Sequence, residues 1–329
     1  MNKHIFFILF FALFITTAVT ADNNSVEVTQ FIHHMVKQYH FDKSELEQLF
    51  ERAKINDNIL RLISKPAEKS KPWSEYRSIL VTPKRVKDGI SFWNINRDIL
   101  SQAQQKFGVP AEIITAIIGI ESSYGSNTGK YHIFDSLFTL GFHYPSRGKF
   151  FRQQLVEFLL LAREEKRDPY WFMGSYAGAM GYIQFMPDSF RSYAVDFDQD
   201  GKRDIWGNST DAIGSVANFL KKKGEWQRGA PIAQMINPGN VDYQQWLHQG
   251  LKPSIPLQAL IKQGIKIPGL QPTFKDKLIS VFVLEAAEQT QVLLGFYNFY
   301  AITRYNPSLF YATAVYQLAE EIKQQVRQE

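Results

Sequence analysis

The spacing of apolar residues changes several times along the chain. From Val26 to Ile63 they recur at helix-like intervals, as in Val36 to Tyr39 and Leu46 to Phe50, with charges between them. That period predicts amphipathic helices. Lys65 to Pro72 is polar and proline-bearing and reads as a connector, and Gly108 and Pro110 punctuate the entry to the next stretch. There Ala111 to Ile120 is mostly apolar, which predicts a helix with Pro110 in its first turn and an end near Gly125. Beyond Trp226 the texture changes to prolines at 231, 238, 253, 256, 268 and 272 around short apolar runs such as Leu278 to Leu284 and Gln291 to Leu294. A small β-rich insertion is expected there. Pro307 to Gln328 returns to helical spacing through Phe310, Ala314, Val315, Leu318 and Ile322. The expected fold is mainly α, of α+β type, with a helical N-terminal lobe over 22–105, a core over 106–226, the insertion over 227–295 and a return to the core over 296–329.

Composition narrows the picture. A chain of 329 residues that is 45% hydrophobic and 21% charged buries a sizeable core, which excludes wholesale disorder. Aromatics make up 14%, which suits a protein that buries ring surface and stacks flat ligands. Cysteine is absent, so there is no disulfide scaffold, thiolate metal site, cysteine nucleophile or acylated lipoprotein cysteine; a lipid anchor is excluded. At the start, Lys3, the apolar run Ile5 to Ile15 and the small residues around Val19, Thr20 and Ala21 match a secretory signal over 1–21. The run is far shorter than the roughly 20 residues that span a bilayer. The mature chain is expected to begin at Asp22 and to be exported. Removing residues 1–21 takes one Lys and no acid from a formal charge of +5, and the resulting +4 favours an anionic polymer, but without a concentrated Lys/Arg stripe it does not support nucleic-acid binding. There is no Walker loop, dinucleotide fingerprint, G-x-S-x-G or H-E-x-x-H, and His132, His143 and His248 lack metal-ligand spacing.

Two stretches carry candidate chemistry. Glu121 ends the apolar helical segment, where burial and the negative end of the helix dipole both disfavour the ionised form, as a general acid requires. The same position also suits a glutamate that faces solvent or caps a backbone group. Ser175 to Pro187, S-Y-A-G-A-M-G-Y-I-Q-F-M-P, has small residues that let backbones approach and offers the amide of Gln184. It fits a ligand-facing turn or a tight junction with Met180 and Met186 filling core gaps.

With these stretches the chain resembles the lytic transglycosylase B family, lysozyme-like enzymes that cut bacterial peptidoglycan. Six ordered blocks carry the resemblance: Tyr76 to Trp93, Gly108 to Gly125 (G-V-P-A-E-I-I-T-A-I-I-G-I-E-S-S-Y-G), Phe134 to Pro145, Gly174 to Pro187, Asp196 to Phe219 and Phe299 to Tyr311. It implies a lysozyme-like core in which Glu121 protonates the glycosidic oxygen between N-acetylmuramic acid and N-acetylglucosamine, then acts as base on the muramoyl C6 hydroxyl. The product is a 1,6-anhydromuramoyl end. One carboxylate suffices if the substrate's acetamido group stabilises the oxocarbenium-like centre; Asp135, Glu164 and Asp168 are not marked as a second acid. The resemblance further implies that Tyr76, Arg147, Ser175, Gln184, Tyr305, Asn306 and Tyr311 contact the saccharide. It implies peptidoglycan strands as partner, cell-wall synthases as candidate protein partners, and a soluble periplasmic location in a cell with an outer membrane. The chain departs from the family at Ser146, where paired arginines are familiar, and at Phe219, where Tyr is expected. A hydrolytic muramidase and a noncatalytic peptidoglycan-binding or scaffold protein are the alternatives.

The acidic segment D-F-D-Q-D-G-K-R-D matches the first half of an EF-hand loop, with Asp196, Asp198, Asp200, Lys202 and Asp204 on alternate positions and Gly201 at the turn. Ca²⁺ is its expected ligand, in a structural role. Gly207 stands where a bidentate Glu normally closes the shell, and the resemblance implies Asp211 as the substitute, although Gly207 to Thr210 is one residue longer than the familiar spacing. A solvated acidic turn is the alternative.

Overall fold

The computed structural model describes residues 26–64, 71–237, 243–247, 250–265, 267, 271–285 and 290–328. The signal segment 1–21, most of the 65–72 connector and His248 lie outside them. The chain divides into two compact units, Met1–Ile55 and Asn56–Glu329.

In the first unit, α1 (Val26–Tyr39) and α2 (Lys43–Glu51) form a helical pair. Val28, Phe31, Ile32 and Met35 recur at i, i+3, i+4 and i+7, so one stripe of α1 is buried. The Phe31 and Phe50 rings meet at 5.7 Å. Asp42 caps α2 by accepting from Glu45 N at 2.9 Å.

The second unit begins with α3 (Asp57–Ile63), α4 (Trp73–Leu80), α5 (Pro83–Ile95) and α6 (Arg97–Phe107). The central α7 (Ala111–Ser122) follows, with Pro110 as its N-cap residue. Every residue from Ala111 to Gly119 is buried, because α7 is packed by α5 and α6, by α11 (Ser209–Lys222) and by α14 (Leu309–Val326). Ile113, Ile114, Ile117 and Ile118 are each wholly excluded from solvent, and such burial stabilises by about 1.5–3 kcal/mol per side chain as an upper estimate. The predicted lobe over 22–105 therefore spans both units, and its helices α4, α5 and α6 pack within the second.

Between α7 and α11 lie α8 (Ile133–His143), α9 (Gly148–Glu164) and α10 (Pro187–Tyr193), with a two-stranded sheet pairing β1 (Tyr131–His132) to β2 (Met173–Gly174). The insertion is a four-stranded antiparallel sheet. It comprises β3 (Ala233–Ile236), β4 (Ile255–Pro256), β5 (Leu278–Glu285) and β6 (Thr290–Gly295) in the order β3-β6-β5-β4, with α12 (Leu257–Lys262) between β4 and β5. Register pairs Val281 with Leu294. Trp246, Leu257, Leu260, Ile279, Val281 and Val292 share its own core. The chain then returns through α13 (Tyr297–Thr303), where Phe299 meets Phe282 at 5.7 Å. Among the described residues no helix is long and apolar enough to cross a membrane.

Candidate active site

α7 and α14 run antiparallel, and each end of the pair joins an acid of α7 to a polar group of α14. At one end the buried Glu112 meets Lys323 at 2.6 Å. At the other the Tyr311 hydroxyl donates to Glu121 Oε1 at 2.5 Å. Tyr311 sits in the first turn of α14, where its own N–H donates to the Ser308 hydroxyl at 3.2 Å, so capping the helix also aims the phenol. Burial, then the neighbouring Glu121 carboxylate, hold the Tyr311 phenol well above its ordinary range. It stays a donor. The half-buried Tyr305 is pushed up by the same two causes and donates to Ile183 O at 2.5 Å; its ring lies nearly parallel to that of Tyr311, 6.4 Å away.

Glu121 itself is half-buried, and the backbone beyond it turns sharply. Ser123, Tyr124 and Gly125 have φ of 50, 59 and 87°, three left-handed residues in succession. For the two that are not glycine this costs roughly 1–2 kcal/mol each. Hydrogen bonds offset the cost: Ser123 N donates to Gly119 O at 3.0 Å, Asn127 N to Ser122 O at 2.8 Å and Gly125 N to the Ser122 hydroxyl at 2.9 Å. Tyr124 folds back between α5 and α7 and donates to Arg85 O at 2.9 Å. A Cβ on Gly119 or Gly89 would stand 2.4 or 2.5 Å from its hydroxyl, so only glycine leaves room for that ring.

The saccharide residues implied by the family resemblance stand in several settings. Tyr305 and Tyr311 converge on Glu121. Gln184, left-handed at φ 48°, gives its amide to Gly181 O and Thr128 O at 2.9 and 3.2 Å, which ties the small-residue turn to the loop beyond Glu121. The Ser175 hydroxyl accepts from Ala179 N and Ala177 N at 3.0 and 3.3 Å and so shapes that turn from within. Tyr76 is buried against Trp73 and Phe310, with ring centroids 6.4 and 5.6 Å away. Arg147 is exposed before α9, its guanidinium 4.5 Å from the Phe150 ring centre. Asn306 is half-buried, and its carbonyl accepts from Ser308 N at 2.8 Å. Phe219 is buried, 4.9 Å from the Tyr305 ring. A cavity of about 360 Å³ opens beside Gln184, Phe219 and Tyr305 and is also lined by Lys223 and Arg304.

The other acids of the region are committed elsewhere. Asp135 accepts from the Tyr170 hydroxyl at 3.0 Å, Glu164 pairs with Arg191 at 2.7 Å, and Asp168 accepts from Tyr170 N at 2.7 Å.

In the acidic loop, carboxylate oxygens of Asp196, Asp198 and Asp211 lie within 4.8 Å of one another. Oxygens bound to one Ca²⁺ at 2.3–2.6 Å lie within about 5 Å of each other, so the three fit a single ion. Asp211, in the first turn of α11, is wholly buried and accepts from Phe197 N and Asp204 N at 2.7 and 2.8 Å. Burial raises its pKa, the two amides oppose the rise, and Asp198 and Asp196 add to it. Asp200 and Asp204 stand outside this group. Asp200 accepts from Lys202 N at 2.9 Å, and Asp204 accepts from Trp206 N and Gly207 N at 2.8 and 2.9 Å.

Sequence reasoning did not single out Tyr124, Gly89 or Gly119. The available signal was Gly119 itself, a lone glycine inside an otherwise bulky apolar helix, which marks a close approach by a neighbour.

A mainly helical enzyme unit with a carboxylic acid at the end of its central helix is the class that this geometry defines, and the family comparison agrees. The transglycosylase SLT domain model matches residues 23–320. The chain belongs to that family. It is 41% identical over 311 residues to membrane-bound lytic murein transglycosylase B of Escherichia coli strain K12, covering 91% of this chain and 83% of the relative. Soluble lytic transglycosylase SltB1 of Pseudomonas aeruginosa superposes with a TM-score of 0.85 at 43% identity, covering 91% and 99% of the two chains. Lytic transglycosylase Slt35 of Escherichia coli, solved in complex with calcium, gives 0.82 at 40% identity and covers 92% and 94%. The fold is thus that of the lysozyme-like lytic transglycosylases. A more distant relative, Pseudomonas aeruginosa SltB3, is 30% identical with a TM-score of 0.80 over 90% and 79% of the chains and is solved with NAG-anhNAM-pentapeptide.

Proposed function

We propose that this enzyme cleaves peptidoglycan without water, with Glu121 as acid and then base. The Tyr311 hydrogen bond to Glu121 Oε1 at 2.5 Å carries the reading, since it fixes the carboxyl group at the end of a helix buried from Ala111 to Gly119. The protonated carboxyl gives its proton to the glycosidic oxygen as the bond from muramoyl C1 to that oxygen breaks. The muramoyl C6 hydroxyl then bonds to C1 and returns its proton to Glu121, so no water enters and the carboxyl is regenerated. Tyr311 touches Glu121 and aligns it. Tyr305, Gln184 and Ser175 act chiefly by shaping the wall beside it, and Arg147, exposed and on an aromatic pair, is the residue best suited to an anionic part of the substrate.

The same reading places Ca²⁺ on Asp196, Asp198 and Asp211, where it would neutralise acids that otherwise repel. Its role is structural, because Asp211 joins the loop to α11. The apolar segment Ile5 to Ile15 and the small residues before Asp22 support export to the periplasm.

The test is digestion of purified sacculi by the mature protein and by Glu121→Gln, with the muropeptides read by mass spectrometry. Anhydromuramoyl ends from the wild type alone are expected. Reducing ends, heavier by one water, would make the enzyme a muramidase; no fragments from either protein would make it a binding protein.

A further inference from the structure

The segment that leaves α9 holds side chains that the chemistry at Glu121 does not use. After Glu165 the chain passes through Lys166, left-handed at φ 52°, and Asp168 caps a 3-10 turn over Pro169–Trp171. This turn leaves Trp171 42% exposed. The Arg167 guanidinium stands 3.8 Å from the centre of its ring. Phe172 and Trp206 meet the indole edge-on at 5.1 and 5.6 Å, and Trp206 is anchored by its Nε1 donating to Met173 O at 3.0 Å. The stack is therefore supported from below.

Arg167, Trp171, Lys166 and Lys202 line a cavity of about 240 Å³. Among the described residues the side chains of Lys166, Arg167 and Lys202 make no ion pair and no hydrogen bond. The other charges of the wall are engaged: Arg203 pairs with Glu165 at 2.5 Å, and Asp204 accepts from two backbone amides. Cations are in excess. A guanidinium stacked on an indole keeps its in-plane donors free, and those donors match a carboxylate bidentately. The volume is below the roughly 300–1,000 Å³ of sites that enclose a whole small molecule, so the cavity suits the end of a longer ligand.

We propose that the Arg167–Trp171 cavity is a second binding site, which takes a carboxylate of the peptide stem carried by the glycan strand. This rests on the reading of peptidoglycan as substrate. Trp171 is four residues from Ser175 in the wall beside Glu121, a path of at most about 14 Å, and a five-residue stem reaches up to about 17 Å. A stem is therefore longer than the Trp171–Ser175 leg of the path from Glu121.

The direct test titrates NAG-NAM-pentapeptide into Glu121→Gln protein and follows the Trp171 indole N–H by NMR, assigned with Trp171→Phe. A saturable shift is expected. Ligand with its peptide carboxylates amidated should bind there at least about tenfold more weakly, the scale of one charge-assisted pair, and Arg167→Ala in the same background should abolish the shift. A Trp171 signal that stays still, or that moves equally with the amidated ligand or with stem-free disaccharide, overturns the proposal.

A turnover arm separates this inference from the proposed function. In otherwise wild-type enzyme Arg167→Ala should raise KM for stem-bearing strands about tenfold and leave stem-free glycan unaffected, with Arg167→Lys between them, since it keeps the charge and loses the fork. If the wild type releases no fragments, the proposed function falls, and the Trp171 titration decides the site by itself. If the wild type cleaves and Arg167→Ala matches it on both substrates, the second site falls. Melting curves report whether Arg167→Ala is folded; should it not be, Arg167→Lys and Lys202→Ala carry both arms.

Discussion

Glu121 and the aspartates of the 196–211 loop are both acidic sites, and their surroundings differ in kind. Glu121 stands half-buried at the end of a helix whose residues Ala111 to Gly119 are buried, and takes a hydrogen bond from a phenol. The loop aspartates stand three together and are met by backbone N–H groups, with Asn208 donating to Asp198 at 2.7 Å. A carboxyl group that takes a hydrogen bond from a phenol at the end of a helix is suited to exchange a proton. A cluster held by amides is poised for a cation and cannot move without moving the backbone. Composition alone does not tell a reactive acid from an architectural one; the neighbours do.

The sharpest separation comes from removing each acid in turn. Glu121→Gln is expected to lower sacculus turnover about a thousandfold or more, within the scope of lost general acid–base catalysis, with no change in melting temperature beyond about 2 °C. Stripping calcium is expected to do the reverse. At a hundredfold excess over its dissociation constant the ion stabilises by about 2.7 kcal/mol, so EDTA should lower Tm by about 4–5 °C and leave turnover at 25 °C within about twofold. Loss of turnover without loss of Tm would make the loop part of the reaction.

Tyr311→Phe tests how Glu121 is held. Losing a hydrogen bond to a charged group costs about 1.5–3 kcal/mol, so kcat should fall about tenfold to a hundredfold with KM little changed. The phenol stabilises the ionised carboxylate, so its removal should move the limb of the pH profile that requires protonated Glu121 to higher pH. A purely structural Tyr311 would leave that limb in place.

The smallest effect concerns Asp211. Its folded pKa lies above the unfolded value because of burial, so its contribution favours the fold while it is protonated and is lost as pH rises through the folded pKa. In EDTA, Tm should therefore decline by an extra degree or two between about pH 4 and pH 7, relative to the same series in calcium. Equal slopes in both series would show that no cation relieves Asp211.

The elements were legible where the pattern was local. Val28, Phe31, Ile32 and Met35 repeat with the helical period, and Leu278 to Leu284 forms β5 as its apolar run and flanking turn residues suggested. The place of Glu121 at the end of a helix was legible from the apolar run before it, whereas its expected role came from the family resemblance. Tyr305 and Tyr311 were named only through the family resemblance, since nothing in the spacing of residues 305 to 311 says that Tyr311 meets a residue 190 positions away and Tyr305 one 122 positions away. Tyr124 escaped notice for the same reason: its fit depends on Gly89 and Gly119 from two different helices. The acidic loop was half legible. Alternate aspartates announced the turn, whereas the burial of Asp211 and its place beside Asp196 and Asp198 belong to α11 and its packing.

The pairing of α7 with α14 also orders events in time. Synthesis runs from the N-terminus, so Glu121 exists long before Tyr311, which is 190 residues later. A chain that stops before Leu309 has the acid but neither the phenol nor the helix that covers α7. The contact between Glu121 and Tyr311 therefore forms only after α14 has been made, and a chain clipped before Leu309 lacks the phenol that meets the carboxyl group.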